Sequence, residues 1–98
     1  MYGVIGQFEL SINDLNKAVK YDSKIPDWYF NRAIARGALK DFQGAISDFT
    51  KAIELTPKDY LIYFLRANSL SSLNKFEKAL SDYNSSIILN SGFADAYV

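Results

Sequence analysis

Cysteine and histidine are both absent from this chain of 98 residues. Without cysteine the chain can form no disulfide framework and offers no thiol chemistry, which favours a reducing compartment and a cytoplasmic location. Without histidine it also lacks the commonest general base, and the two absences together remove the usual ligands of transition metals. We therefore expect no enzymatic activity, no catalytic residue, no metal site and no cofactor.

The chain also has no net charge. Lysine plus arginine balances aspartate plus glutamate at 11 each, so no overall field attracts nucleic acid or an anionic membrane. Residues 1–10 lack the basic start and apolar run of a signal peptide, and no stretch approaches the roughly 20 apolar residues of a membrane span. We expect a soluble chain whose partners are proteins or peptides, with neither nucleic acid nor membrane among them.

What the sequence does contain is an internal repeat with one fixed offset. The residues that return at this offset are Tyr29, Phe30, Arg32, Ala33, Leu39, Phe42, Ala45, Ser47, Asp48, Ile53 and Leu55, matched by Tyr63, Phe64, Arg66, Ala67, Leu73, Phe76, Ala79, Ser81, Asp82, Ile87 and Leu89. A constant period of about 34 residues is typical of a solenoid, whose units cannot bury their apolar faces alone. At this length, the chain has room for one domain of a few such units.

Within each unit, apolar residues at helical spacing predict two helices. The predicted helices cover residues 8–21, 28–39, 42–55, 59–73 and 76–89. By the period, residues 1–7 correspond to the tail of a preceding helix that ends before Phe8, and residues 90–98 begin another helix. Asn74 falls in a turn between helices, where an amide side chain tolerates a left-handed backbone.

This pattern resembles the tetratricopeptide repeat, a helix-turn-helix unit with the same period. The positions that carry the resemblance are Tyr29, Arg32, Ala33, Arg36, Ala45, Phe49 and Pro57 in one unit and Tyr63, Arg66, Ala67, Leu70, Ala79, Tyr83 and Ser91 in the next. The small residues are expected where the two helices of a hairpin cross, because only a small side chain lets the backbones approach. Arg36, Lys40, Ser23 and Ser91 depart from the family's preferred aromatic, glycine and proline residues.

The resemblance implies an all-α fold, a right-handed α-solenoid of antiparallel helix-turn-helix repeats. It divides a single domain, residues 1–98, into a partial repeat (1–25), two complete repeats (26–59 and 60–93) and the start of a further repeat (94–98). In this family the first helices of the repeats line a concave face that holds a partner's extended peptide or helix. The chain is accordingly expected to be a protein-interaction module or scaffold.

The resemblance also implies which residues bind the partner. Those facing the groove or matching known contact positions are Asp27, Phe30, Asn31, Ile34, Leu61, Phe64, Leu65 and Asn68. One subgroup of the family grips a C-terminal carboxylate with basic groove residues, but Leu61 and Leu65 stand where those bases would be. An apolar or aromatic peptide is therefore expected, with Asn31 and Asn68 bonding its backbone. Alternatively, Phe30 and Phe64 simply pack between neighbouring helices.

Two further functions are open. The last predicted helix carries apolar residues without a polar capping helix, so either the chain is part of a longer array, or the terminal repeats of different chains pair head to tail in a homo-oligomer that is open-ended unless it closes into a ring. Recognition of RNA by related helical hairpins is disfavoured by the charge balance and the absence of lysine and arginine from the groove.

Charged residues also follow the period. Arg32 and Arg66 share one position of the first helix, whereas Asp14, Asp48 and Asp82 share one position of the second. We expect these arginines and aspartates to meet within or between hairpins. The alternative is a solvated row, such as Asp48 with Lys51 on the next turn of the helix, contributing only a few tenths of a kcal/mol.

Overall fold

Five helices in sequence make up the part of the chain that the structure describes. This computed structural model describes residues 4–91, with side chains for residues 6–90. The helices are α1 (Val4–Tyr21), α2 (Pro26–Ala38), α3 (Phe42–Leu55), α4 (Tyr60–Ser72) and α5 (Phe76–Ser91). The described residues are all helix and connecting turn, as predicted. The expected start of a further repeat at 94–98 lies outside them.

The turns between helices follow from a few local residues. Pro26 occupies the first turn of α2, where its missing N–H costs nothing. The Asp41 carboxylate accepts a hydrogen bond from the Gly44 amide at 3.0 Å and caps α3, and Asp59 does the same for the Leu61 amide at 3.1 Å in α4. These caps set where α3 and α4 begin.

Two non-glycine residues have left-handed backbones, Lys40 at φ 66° and Asn74 at φ 62°. They lie one period apart and turn the chain from α2 into α3 and from α4 into α5. The prediction for Asn74 is confirmed. At Lys40 the same turn forms without the local compensation that an amide side chain brings.

The first helix corrects one expectation. Residues 4–7 were expected to end a preceding helix before a turn at Phe8, but they continue α1 without interruption. Gly6 corresponds by the period to Lys40 and Asn74, yet it lies inside the helix. The turns at those two residues are held by hydrogen bonds back to the preceding helix, such as Asp41 N–H to the Arg36 carbonyl at 2.8 Å. In α1 the backbone instead remains helical through Gly6.

Successive helices pack against one another, α1 on α2, α2 on α3, α3 on α4 and α4 on α5. This nearest-neighbour stacking gives an elongated molecule with extents of 52, 29 and 19 Å, as expected of a solenoid. Alanines at the crossings are fully or almost fully buried: Ala33, Ala45, Ala52, Ala67 and Ala79. Small side chains there let α2 approach α3 and α4 approach α5, as the sequence predicts.

Candidate functional site

The first helices of the two complete repeats, α2 and α4, lie on either side of α3 in sequence and share two clefts. The first cleft is lined by Asp27 and Phe30 of α2, Leu61 and Ile62 of α4, and Thr56 and Asp59 of the intervening turn. It therefore brings together three of the predicted binding residues, Asp27, Phe30 and Leu61. The carboxylates of Asp27 and Asp59 border this cleft, whose other lining residues are mainly apolar.

The second cleft lies further along the same two helices. It brings together Ile34 of α2 with Leu65 and Asn68 of α4, over a floor formed by Ala33, Gly37 and Phe49. Three more predicted residues thus meet across the two repeats. Asn31 also borders Ile34, but in a separate cleft shared with α1.

Large apolar side chains are exposed on the two helices that form these clefts: Ile34 and Leu61 line the clefts, whereas Phe64 lies on α4 outside their lining. Ile34 is 41% exposed, Leu61 42% and Phe64 44%. Each lies on α2 or α4 at a position that the repeat pattern assigns to the groove. Apolar surface left in water is the feature that a binding partner would cover.

The two groove phenylalanines pack in the same way but are not equally covered. The Phe30 ring meets the Phe49 ring edge to face, with centroids 6.1 Å apart, and the Phe64 ring meets the Tyr83 ring at 5.7 Å. Phe30 is half-buried and packs against the core, as does Leu65. Their apolar contacts support the fold directly, whereas Phe64 keeps nearly half of its surface in solvent.

A polar contact orients Asn68. The Tyr83 hydroxyl of α5 donates a hydrogen bond to the Asn68 side-chain oxygen at 2.5 Å, which leaves the amide NH2 directed away from that bond. Sequence reasoning did not identify Tyr83 as part of this site. The repeat period could have identified it, since Tyr83 lies one period after Phe49, whose ring packs against Phe30.

Each complete repeat contains a largely buried ion pair between its two helices. Arg32 Nε and Nη2 donate to Asp48 Oδ2 and Oδ1 at 2.9 and 2.7 Å, and Arg36 Nη1 adds a bond of 2.9 Å to Oδ2. In the next repeat Arg66 donates to the two oxygens of Asp82 at 2.6 and 2.8 Å. The prediction that arginines and aspartates meet is confirmed for Asp48 and Asp82, whereas Asp14 pairs with no arginine among the described residues. The alternative pairing of Asp48 with Lys51 does not form, and Lys51 Nζ lies 3.8 Å from Glu54 Oε1.

The same arginines reach backward as well. Arg32 Nη1 donates to the Asn16 side-chain oxygen of α1 at 2.9 Å, and Arg66 Nη1 donates to the Thr50 hydroxyl of α3 at 3.2 Å. Each arginine therefore joins three consecutive helices. Asn16 and Thr50 lie one period apart but differ in type, so residue identity could not reveal them. Their position could reveal them, because Asn16 precedes Arg32 by the same number of residues as Thr50 precedes Arg66.

In each complete repeat a tyrosine packs beside the arginine of the ion pair. The Arg32 guanidinium stands 5.7 Å from the Tyr29 ring centroid and Arg66 the same distance from the Tyr63 ring. The Tyr29 hydroxyl donates to the Ser23 carbonyl at 2.9 Å and the Tyr63 hydroxyl to the Pro57 carbonyl at 3.0 Å. These bonds fasten the turn before each first helix to the helix itself.

The hydrogen bonds that Arg32 and Arg66 donate to Asp48 and Asp82 raise the pKa of each arginine, and burial opposes that rise only in part. Both arginines therefore stay charged in the folded chain. This cluster can hold helices in register, and its carboxylates are already engaged by guanidinium groups.

In the part of the chain that is described, no group of histidine, cysteine, aspartate or glutamate side chains is arranged to hold a metal ion. None of the helices α1 to α5 combines the length and the hydrophobicity needed to cross a membrane.

The sequence profile of the tetratricopeptide repeat matches residues 26–59, and a second profile of the same repeat matches residues 49–81. Together the two matches extend over more than half of the chain, and the first coincides with the first complete repeat that the sequence predicts. This chain belongs to the tetratricopeptide repeat family. Tetratricopeptide repeats serve as protein-interaction modules and are generally without catalytic activity, so the family supports a protein-interaction scaffold.

Solved structures agree with this tetratricopeptide fold. The structure "MamA MSR-1 C2" superposes with a TM-score of 0.84 at 22% identity and covers 87% of this chain. The structure "MamA AMB-1 P212121" gives a TM-score of 0.85 at 23% identity and covers 88%. This chain spans about half of either structure, 49% and 51% respectively. No curated protein sequence matches the chain significantly.

Proposed function

We propose that this tetratricopeptide chain binds an apolar or aromatic peptide of a partner protein in the groove formed by α2 and α4. The observation that carries the proposal is the exposure of Ile34 and Leu61 along two clefts between α2 and α4, with Phe64 also exposed on α4. Covering such apolar surface yields about 25 cal/mol for each Å² removed from water. No lysine or arginine lines these two clefts, so the partner needs no acidic terminus.

Polar groups at the rim would orient the peptide. Asn68 has its oxygen held by Tyr83, so its NH2 group can donate to a peptide carbonyl. Asn31 is exposed beside Ile34 and can donate or accept. Asp27 is exposed at the other end and favours a peptide whose adjoining residue is basic.

A display selection of random peptides on the intact chain tests this proposal. Selected peptides should be rich in apolar and aromatic residues. Their affinity should fall about tenfold or more for L61S or F64S, because the lost contact is a central apolar one. F76S is the matched control, since Phe76 is an exposed aromatic on α5, which is neither of the two helices that form the groove. Equal loss with F76S, or no enrichment of any peptide, would remove the groove as the binding site.

A second candidate function is self-association through α5. Leu80 is 61% and Ile87 50% exposed, although their counterparts Ile46 and Ile53 in α3 are half-buried against the core. The outer face of α5 thus has the residues with which α3 packs on its neighbour. Sedimentation over a wide concentration range, for the chain and for L80Q, tests it. A mass that rises with concentration in the first and not the second supports assembly, and a constant monomer mass excludes it.

A further inference from the structure

A cleft of about 410 Å³ lies between α3 and α5, the second helices of the two complete repeats, with α4 at its base. This volume falls within the roughly 300–1,000 Å³ of ligand sites in proteins. The cleft shares no lining residue with the two clefts of α2 and α4. We call it the basic cleft. Its lining residues are Gln43, Ile46, Thr50, Arg66, Leu70, Lys75, Lys78, Ser81 and Asp82.

Cations outnumber anions in the lining of the basic cleft. It contains one carboxylate, that of Asp82, and both of its oxygens accept hydrogen bonds from Arg66. The other two cations are Lys75 and Lys78, whose charges have no counterpart in the lining. Lys75 stands one period after Asp41, where the preceding repeat has a carboxylate instead. The cleft therefore attracts anions.

The polar side chains at its rim are not engaged by the rest of the described chain. The side chains of Lys75 and Lys78 are exposed and form no ion pair or hydrogen bond with another described residue. The same holds for the side chains of Gln43 and Ser81. Ammonium, amide and hydroxyl groups can all donate hydrogen bonds. The rim thus presents donors for which the described residues supply no acceptor.

The preceding repeat shows that the basic cleft is not a feature of every repeat. Leu70 stands one period after Arg36, whose guanidinium reaches the Asp48 carboxylate at 2.9 Å. Lys78 likewise stands one period after Gly44, where an added Cβ atom would lie only 3.0 Å from Arg36 Cδ. Glycine therefore makes room for the arginine in the first complete repeat. In the second, the shorter Leu70 leaves that space open, and Lys78 brings a positive charge to its rim.

We propose that the basic cleft binds a phosphorylated side chain of a partner protein, with Lys75 and Lys78 holding the phosphoryl group. At neutral pH such a group carries a charge of about −1.5 to −2 and has three strong acceptor oxygens. It matches two lysines and their neighbouring amide and hydroxyl donors better than a carboxylate, which has one charge and two oxygens. Ile46 and Leu70 offer apolar contacts to the carbon atoms beside the phosphate.

The open rim identifies the source of the phosphoryl group. The exposed residues of the lining are Gln43, Lys75, Lys78 and Ser81. A cleft with so exposed a rim does not enclose most of a small molecule, as sites for such ligands do. A side chain displayed by a partner needs no such enclosure, because the partner's own surface covers the rim. Repeats of this family serve as protein-interaction modules, which agrees with a protein source.

A short phosphopeptide provides the probe. It has one phosphoserine between alanines and is acetylated and amidated, so that the phosphoryl group is its only charge. Titrated into the isotopically labelled intact chain, it should shift the amide signals of Lys75, Lys78 and Ser81 saturably. The same peptide with unmodified serine should cause no saturable shift. With glutamate in that place it should bind about tenfold or more weakly, since a carboxylate accepts fewer charge-assisted hydrogen bonds.

Matched lysine variants isolate the site. K75Q and K78Q should each weaken binding of the phosphopeptide about tenfold, since each removes one charge-assisted hydrogen bond. K17Q is the control, because it changes the net charge equally and Lys17 is an exposed residue of α1 outside the basic cleft. K17Q should leave the affinity unchanged. Circular dichroism of the three variants should match the parent chain, because all three lysines are exposed.

Several results would overturn the proposal. Equal weakening by K17Q and K75Q would reduce binding to the overall charge of the chain. Equal affinity for the glutamate peptide would make the cleft a carboxylate site, and equal affinity for inorganic phosphate would remove a partner's side chain as the source. Absence of saturable shifts, or shifts confined to α2, would remove the cleft as the site. The groove proposal is tested separately, because its variants L61S and F64S lie outside the basic cleft.

Discussion

Arg32 of α2 grips Asp48 of α3 with two hydrogen bonds of 2.9 and 2.7 Å, and the pair is largely shielded from water, with side-chain exposures of 14% and 4%. Arg66 and Asp82 repeat the pair one unit later. Each pair lies between the two helices of a hairpin, while the same arginine also touches the preceding helix. Each ion pair thus links consecutive helices of the array and holds α2 or α4 against the helices beside it.

Removing the Asp48 carboxylate should be costly. D48N leaves Arg32 and Arg36 without their shared anion in a buried place, and we expect a loss of about 3 kcal/mol in the free energy of unfolding. K51A, which breaks only the exposed contact with Glu54, should cost no more than about 0.5 kcal/mol. Urea unfolding of both variants makes the comparison. Equal, small losses would mean that the pair does not join the hairpin.

The stability that the Arg32–Asp48 pair contributes should not change between neutral and moderately alkaline pH. Because pairing raises the pKa of Arg32, its contribution is complete below the pKa of arginine in the unfolded chain and is lost only as pH rises through the higher pKa of the folded chain. The stability difference between the parent chain and R32Q should therefore stay constant between about pH 7 and 9. Thermal melts at several pH values would reveal any decline, which would argue against a permanently charged pair.

Replacing Lys40 by glycine should stabilise the chain, because the backbone at Lys40 is left-handed. A side chain at φ 66° carries a steric cost of about 1 kcal/mol or more that glycine does not. K40G should therefore raise the unfolding free energy by up to about 1 kcal/mol, after allowing for the greater freedom of glycine in the unfolded chain. K51G, in the middle of α3, should instead lower it by about 1 kcal/mol. If both substitutions destabilise alike, the backbone at Lys40 is not left-handed in solution.

The tyrosine that fastens each turn should contribute modestly. Y63F deletes the hydroxyl that donates to the Pro57 carbonyl, and we expect a loss of about 1 kcal/mol in chemical denaturation. Y21F is the reference, since Tyr21 is 90% exposed and its hydroxyl should matter little. A loss as small as that of the reference would show that water replaces the turn contact without cost.

The small residues at the crossings should not tolerate enlargement. A67L forces a bulky side chain between α4 and α5, where Ala67 and Ala79 are almost completely buried. We expect a loss of about 1 to 3 kcal/mol or outright failure to fold. A38L, at an exposed position of α2, should change the unfolding midpoint little. A stable A67L chain would imply that the hairpin can open without loss.

Much of the architecture could be predicted because the repeat period and the helical apolar stripes are patterns along the chain. The bounds of α3, Phe42–Leu55, agree with the prediction, and the left-handed Asn74 follows from what an asparagine side chain allows. The pairing of Arg32 with Asp48 could be expected from their recurrence. The sequence could not predict which groove residues are exposed and which are covered, because exposure depends on the neighbour that packs on each side chain. Half-buried Phe30 and exposed Phe64, which lie one period apart, show this.

The sequence by itself determined the repeat, the helices and the small residues at their crossings, since each depends on spacing along the chain and on side-chain size. Tertiary structure alone decided three other features. It continued α1 through Gly6, although Lys40 and Asn74 at the matching positions lie in turns. It placed Asn16 and Thr50 against the arginines despite their different chemistry, and it left Asp14 open. Each depends on which helix lies beside which, and packing between helices sets that arrangement.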